Sequence, residues 1–355
     1  MKVLILYTHN KGFLSKFYFA CSVSLKEDGH EVYNFSLKSE ASYSLHNGVH
    51  LVIKEKRGYF HNYYQIYAII KEVQPDVIIS NFSYVNPALL FGKLLGVKKN
   101  IAWFHTLQEQ IQATRFHIFI KTQFLKLADT MIANSIYTKK DLVKLYGVHE
   151  SKISILPFWS QIDTLEQDSE PFQTKGDVFS IGCPGRLTED KNQQLVIHVV
   201  KRVVDMGYEK VHVFFAGSGD KLEELKQLSF DLSLDLHLTF LGNLSSEAMI
   251  SFYRNMDLIV LPSLYEAFGL VFIEAISLGR SVLVSSQFGA LTFIDDMVYP
   301  IEHFSFDPNS VDSLLEKILP YIQQTVVHDI CFQAVNDAFF GKQAILVAFK
   351  KMIVS

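Results

Sequence analysis

Cysteine is scarce: Cys21, Cys183 and Cys331 are scattered through 355 residues, and no Cys-x-x-Cys pair occurs. A disulfide framework and a zinc cluster both lack the thiols they need. Nine prolines and eighteen glycines are too few for a collagen-like or low-complexity chain. No uncharged apolar run reaches the length of a membrane-spanning helix, about 18 residues or more. The apolar start, Met1 to Tyr7, is too short for a secretory signal and has no small-residue cleavage site, so it reads as a buried first strand. These absences predict a soluble protein of a reducing, cytoplasmic compartment. No Gly-x-Gly-x-x-Gly follows the first strand, which argues against a nicotinamide-dependent dehydrogenase.

Hydrophobic residues make up 49% and charged residues 20%, enough for sizeable cores in two domains. The net charge of −4 hides an asymmetry. Residues 1–165 hold 19 Lys and Arg against 12 Asp and Glu; the remainder holds 14 against 25. A balance of +7 facing one of −11 suits two domains with different partners, one of them an anionic surface. It equally suits charge complementarity between the domains.

Both halves alternate short β-rich apolar runs with helical patterns, the mark of βαβ units on parallel sheets. In the first half strands are predicted at Val3–Tyr7, Glu31–Phe35, Val77–Ile79, Asn100–Phe104 and Thr130–Ala133. The second half restarts at Val178–Ile181 and continues through Val211–Ala216, Leu236–Leu241, Leu258–Leu261 and Ser281–Ser285, with helices between. The polar stretch from Pro157 to Gly176 reads as a linker. The boundaries that follow are residues 1–160, 161–337 and a final helical stretch from 338 to 355. Two doubly wound sheets place ligands at the carboxyl ends of their strands, in the cleft the domains face.

The densest signals lie between Leu261 and Ala275. A buried strand ends at Pro262, a loop carries Glu266, and a helix begins near Gly269. The free amides and dipole of such a helix start suit a diphosphate. Glu274, on the early turns, would bind hydroxyls such as a ribose offers. The same residues also fit a capping loop with one surface and one paired Glu. Arg186 and Lys191, in a loop after a strand, can converge on a pyrophosphate leaving group, or be ordinary surface cations. Gly217-Ser218-Gly219 lets backbone approach a ligand, or is a plain turn.

Taken in order, these pieces resemble the retaining glycosyltransferases of family 4, with the GT-B fold. The matching residues are Gly185-Arg186-Leu187 with Lys191, Ala216 to Gly219, Leu241-Gly242-Asn243, Tyr253 to Asp257, Pro262-Ser263, and Glu266 with Glu274. The resemblance implies α/β architecture of two Rossmann-like domains, the first on the acceptor side and the second binding a nucleotide-sugar. It implies that Arg186 and Lys191 bind the diphosphate, Glu274 the ribose, and Glu266 the transferred sugar near its reacting carbon. The backbone of Phe268, Gly269, Leu270 and Val271 would meet the phosphates, and Gly242, Asn243 and Leu244 would border the base. In the first half Gly29 to Val32, Pro75 to Ile78, Ala133-Asn134-Ser135 and Lys152 to Pro157 match more loosely. His105 falls where the family's histidine sits near the sugar. Gly12, implied by the resemblance to contact the donor phosphate, stands alone where paired glycines are usual, and Phe158 to Asp163 replaces the family's Asn-Gly-Val-Asp.

The resemblance further implies hexosyl transfer from a nucleotide-sugar, expected to be UDP-linked, to a growing bacterial glycan of lipopolysaccharide, capsule or exopolysaccharide. Such a chain needs no cofactor beyond its donor substrate. The Asp-x-Asp device of the other large glycosyltransferase fold is missing, so charge on the diphosphate falls to Arg186, Lys191 and the helix dipole, with no metal site. A nucleotide-sugar epimerase and a non-catalytic partner subunit are the alternatives, and nucleic acid is not among the expected partners. Thr114 to Leu127 sets cations and aromatics at helical spacing, which fits a helix docking on anionic lipid or one packed on the first sheet. Either a free cytoplasmic protein or one at the cytoplasmic face of a membrane follows.

Overall fold

The computed structural model describes residues 1–107, 114–162, 172, 176–326 and 330–354. The chain forms two units, one from Met1–Gln161 together with the segment from Lys342 onward, the other from Ile162–Gly341. Among the described residues no helix is long and apolar enough to cross a membrane.

In the first unit the strands are β1 (Lys2–Leu6), β2 (Glu31–Lys38), β3 (Ser42–His46), β4 (Val49–Glu55), β5 (Val77–Asn81), β6 (Lys99–Phe104), β7 (Thr130–Ala133) and β8 (Ile153–Ile155). They form one sheet in the order β3-β4-β2-β1-β5-β6-β7-β8, parallel except for edge strand β3. Helices α1 (Phe13–Glu27), α2 (Tyr59–Val73), α3 (Val85–Leu94), α4 (Arg115–Leu125) and α5 (Ile136–Lys144) accompany it. Val3, Leu4, Ile5 and Leu6 are all fully buried, as parallel strands covered on both faces require. Strand order reverses between β1 and β5, so the ligand crevice of this unit lies beyond their carboxyl ends.

The second unit has β9 (Phe179–Pro184), β10 (Val211–Ala216), β11 (Leu238–Gly242), β12 (Leu258–Leu261), β13 (Val282–Ser285) and β14 (Ser305–Phe306), in the order β11-β10-β9-β12-β13-β14. Its helices are α6 (Gln193–Asp205), α7 (Leu222–Asp231), α8 (Ser246–Arg254), α9 (Leu270–Ser277), α10 (Val311–Ile322) and α11 (Phe332–Phe339). Helix α6 buries Val196, Val199, Val200 and Val203, the i, i+3, i+4, i+7 stripe that seats a helix on a sheet. Here the order reverses between β9 and β12.

Four expectations are corrected. The hairpin β3–β4 was not anticipated, although Asn47-Gly48 between alternating residues supplies the positive φ angles of 50° and 74° that a tight turn demands. Residues 157–161 do not begin a linker: Phe158 and Trp159 are buried in the first core, where Phe17 stacks against both at 4.8 and 4.1 Å. Of the rest of that stretch, 163–171 and 173–175 lie outside the described residues. The final helix is two, since α11 stops at Phe339 and α12 (Lys342–Val354) starts after Gly341. Helix α12 lies with the first unit, its Phe349 stacked 5.8 Å from Trp103 and its Lys350 bonded to Asp28 at 2.8 Å. In α4 the expected basic edge is incomplete. Lys121 turns inward, its Nζ 4.8 Å from the Phe104 ring centre, while Phe116 and Phe119 stay exposed.

The aromatic knot around Phe17 holds α1 to the end of β6 through Tyr18, Trp103, Phe158 and Trp159. Phe17→Ala should destabilise the first unit by about 3–5 kcal/mol, as for other buried aromatics truncated to alanine. Both tryptophans of the chain sit in this unit, so the urea midpoint followed by their fluorescence reads it directly. An unchanged midpoint would show that the knot does not carry the core.

Candidate active site

The crevice predicted by strand order in the second unit is where its charged residues meet. The loop after β9 carries Arg186 and Lys191; the loop after β12 carries Glu266. Lys191 Nζ donates to Glu266 Oε2 in a close ion pair, each side chain only 14% exposed. Backbone bonds fix both loops. Leu264 N–H donates to the Asp190 carbonyl at 2.9 Å, and buried Asn192 donates from Nδ2 to the carbonyls of Pro262 (3.2 Å) and Pro308 (2.9 Å). Asn192 adopts φ 55°, a left-handed value that asparagine tolerates well, and this ends the Glu189–Lys191 turn where α6 begins.

The next loop is stitched to the first. Leu187 N–H donates to Ser218 O and Lys221 N–H to Leu187 O, both at 3.0 Å. Gly217 has φ 150°, and a Cβ there would lie 2.0 Å from the Gly185 carbonyl oxygen, so no other residue fits. Ser218 Oγ donates to Asn243 Oδ1 at 2.9 Å, which joins the loop after β11; Leu244 beside it is half-buried. Arg186 is exposed and its guanidinium has no partner among the described residues. The structure thus brings Lys191, Glu266, Gly217 and Asn243 to one edge, and leaves Arg186 available at the rim.

Helix α9 starts at Gly269, whose φ is 101° and whose Cβ would meet the Phe288 ring at 2.2 Å. No side chain caps this end, which leaves the first amides of the helix without a side-chain acceptor. Phe268 is buried beneath them, its carbonyl accepting from Ala290 N–H at 2.8 Å. Glu274, on the second turn, accepts at Oε2 from the Tyr253 hydroxyl at 2.9 Å. Burial drives the Glu274 carboxyl up to about 7, against which the Tyr253 bond acts only in part. Some of the residue remains open to solvent, so a ligand can still reach it. Sequence reading marked Glu274 but missed that Tyr253 engages it.

In the first unit His105 follows β6. Its Nε2 lies 2.8 Å from Asn81 Oδ1, and the Tyr18 hydroxyl contacts both groups closely. Its Nδ1 is shut from solvent, with no partner among the described residues. Burial drops the imidazole to about 3, so it is neutral at physiological pH. Tyr18 and Asn81 went unnoticed in the sequence, because a tyrosine inside a helix and an asparagine ending a strand carry no spacing signal. Gly12 caps α1 and its N–H already donates to Asn10 Oδ1 at 2.8 Å, so the phosphate contact expected of it has no free amide there.

The family model "Glycosyl transferases group 1" matches residues 165–328, and "Glycosyltransferase Family 4" matches 18–158. An uncharacterized glycosyltransferase of Methanocaldococcus jannaschii is 26% identical, over 51% of this chain and 48% of that relative. The capsular polysaccharide biosynthesis glycosyltransferase CapM of Staphylococcus aureus is 29% identical, over 54% and 51%. The chain spans about half the length of the curated relatives it matches. Among solved structures, HepE of Anabaena in complex with UDP aligns over 100% of both chains with a TM-score of 0.76 at 15% identity, a likeness of fold, GT-B.

Glu274 gives the site a pH signature. In the unfolded chain its carboxyl titrates near the ordinary 4.5, in the folded chain near 7. Between those values the folded state binds more protons, so the stability contribution is full at acid pH and is lost as pH rises through 7. Parent protein should therefore lose stability from about pH 5 to 8 more steeply than Glu274→Gln. Calorimetric melting of both across that range decides it; equal slopes would mean the carboxyl titrates as if exposed.

Proposed function

Since the chain belongs to the group 1, family 4 glycosyltransferases, we propose that it transfers a hexosyl group from a nucleotide-sugar to a saccharide acceptor with retention at the anomeric carbon. The observation that carries this reading is the Lys191–Glu266 pair at the β9–β12 reversal, beside the open start of α9. Lys191, Arg186 and the α9 amides receive the diphosphate; Glu274 takes the ribose hydroxyls, and Asn243 and Leu244 border the base. Glu266, released from Lys191 as phosphate approaches, faces the sugar. The donor we favour is UDP-linked, in line with the UDP held by the HepE structure. The acceptor we favour is a bacterial surface glycan, as CapM's name suggests for that relative.

In the reaction the bond from C1 to the phosphate oxygen breaks and one from C1 to the acceptor oxygen forms. The acceptor proton passes to the departing phosphate on the same face, so no second carboxylate acid is required. Negative charge grows on the diphosphate as the bond breaks, and Lys191 with the helix amides stabilises it. Exposed Phe116 and Phe119 on α4, with Arg115 beside them, support an anionic membrane as a second partner at the cytoplasmic face.

Thermal-shift screening of nucleotide-sugars identifies the donor, since binding raises the melting temperature by mass action. Lys191→Ala should lower kcat by about 10²–10³, the loss expected for one group stabilising transition-state charge. Glu274→Gln should chiefly raise the donor KM, because ribose contacts do not change during reaction. The reverse pattern in donor-saturation kinetics would overturn both assignments.

The same reading makes transfer independent of divalent metal. In this reading the cationic side chains and the helix start take the diphosphate role that a metal ion would otherwise fill. Turnover should persist in excess EDTA. Loss of activity restored by manganese would contradict it.

A further inference from the structure

Strand β3 ends one side of the first sheet, with no strand beyond it among the described residues. Natural edges of this kind are usually guarded by a charged residue, a proline or a bulge. Ser42–His46 has none of these. It contains no Lys, Arg, Asp, Glu or Pro, and it pairs with β4 residue for residue. Tyr43 and Leu45 are 63% and 58% exposed, and as alternate residues of a strand they share one face.

The turn decides which backbone groups face outward. Asn47 and Gly48, both at positive φ, make a two-residue hairpin turn of type I′. In such a turn the carbonyl of the first residue accepts from the N–H of the fourth; here these are His46 and Val49, which oppose each other in the β3–β4 register. His46 therefore directs its backbone groups at β4, and along an antiparallel strand that direction alternates. Ser44 and Ser42 also face β4, while the N–H and C=O of Tyr43 and Leu45 point away from the sheet. A second β3 can meet them in one register. A two-fold axis through Ser44 sets Tyr43 of each copy opposite Leu45 of the other. Every outward N–H and C=O of the two residues then finds a partner, and the exposed side chains cover one another in pairs. An axis through Tyr43 or Leu45 would leave the other residue against the strand's end.

The charges agree with that register. It carries Glu40 of one copy to Gly48 of the other, and Lys26 lies over Gly48: a Cβ there would sit 2.9 Å from Lys26 Cε. Glu40 and Lys26 are both exposed, and the axis repeats their encounter on its other side. The Tyr43 ring is also set beforehand, its hydroxyl 2.7 Å from His50 Nδ1, so little freedom is lost on pairing.

We propose that β3 is a self-pairing edge through which two copies of this chain join their first sheets, with Tyr43 against Leu45 and Glu40 beside Lys26. The partner is a second copy, because strand pairing, apolar cover and charge all come out reciprocal about the same residue, Ser44. One strand pair buries less than the ~800 Å² per partner of a standard stable complex, so the dimer is reversible, with a Kd of roughly 10–100 μM. The inference does not rest on the sugar-transfer reading.

Sedimentation equilibrium of the full chain, at concentrations on both sides of that Kd, should show a monomer passing to a dimer and no further. Leu45→Lys, which plants a charge on the edge, should raise Kd about tenfold or more. Glu40→Lys and Lys26→Glu should each weaken association, and the two combined should restore it. Cross-linking reads the register separately. In a Cys331→Ser background, Ser44→Cys treated with copper phenanthroline in air should form a covalent dimer, since a facing pair of this kind stands about 4.5 Å apart between Cα atoms, within reach of a disulfide. Ser42→Cys, which faces His46 of the other copy, should not. Should Leu45→Lys lower the melting temperature, the charge exchange and the Ser44 cross-link decide alone. A monomer at all concentrations, growth beyond the dimer, or a dimer that neither responds to the charge variants nor cross-links at Ser44 overturns the proposal.

Discussion

The pairing of Lys191 with Glu266 ties two loops of the second unit together. Two opposite charges, mostly withdrawn from water, attract strongly only at close range, and each would be costly alone. They come from loops that follow different strands, so the pair forms only if both loops are held in register. The backbone bond from Leu264 to Asp190 and the bond from the buried Asn192 side chain to the Pro262 carbonyl do this. Strand order then follows as a requirement. Only where β9 and β12 lie side by side, with the chain leaving in opposite directions, do two such loops open toward one crevice.

A buried ion pair is weak evidence for stability, because desolvation offsets much of the attraction. It is better read as stored readiness. With Glu266 as its partner, Lys191 is held in one orientation instead of sampling many. The first unit follows the opposite policy. Its central histidine is surrounded by rings and neutral hydrogen-bond partners and carries no charge. One unit gathers charge at its strand-order reversal; the other places a neutral ring beside its own.

Much of the second unit was legible because its signals are local. β10 and β12 are bounded by the same residues in sequence and structure, Val211–Ala216 and Leu258–Leu261, since both are mainly apolar runs followed by glycine or proline. The loops carrying Lys191, Glu266 and Glu274 were legible for the same reason. The first unit was harder. Its hairpin at Asn47-Gly48 has a turn signal but exposed alternate residues, so hydrophobicity did not mark it. Phe158 and Trp159 looked like linker because their burial depends on Phe17, more than a hundred residues earlier. The break at Gly341 sits in a stretch that otherwise reads as one helix, although a Cβ there would lie 2.9 Å from the Asp337 carbonyl.

Glu266 and Glu274 show why spacing identifies candidates but not their behaviour. Both are carboxylates, eight positions apart, on the same strand–loop–helix unit. Glu266 meets a full positive charge. Glu274, one helical turn inside α9, meets only the Tyr253 hydroxyl and surroundings that exclude water, so its proton is held far more tightly than in an exposed glutamate. Environments that treat two like groups so differently are how a site divides tasks between them. A carboxyl poised near neutrality suits a partner that offers hydroxyls, because it can accept from them when ionised without demanding a counter-ion. That division depends on Tyr253 and Lys191, which come from α8 and the loop after β9, and it is written in their packing instead of in the motif.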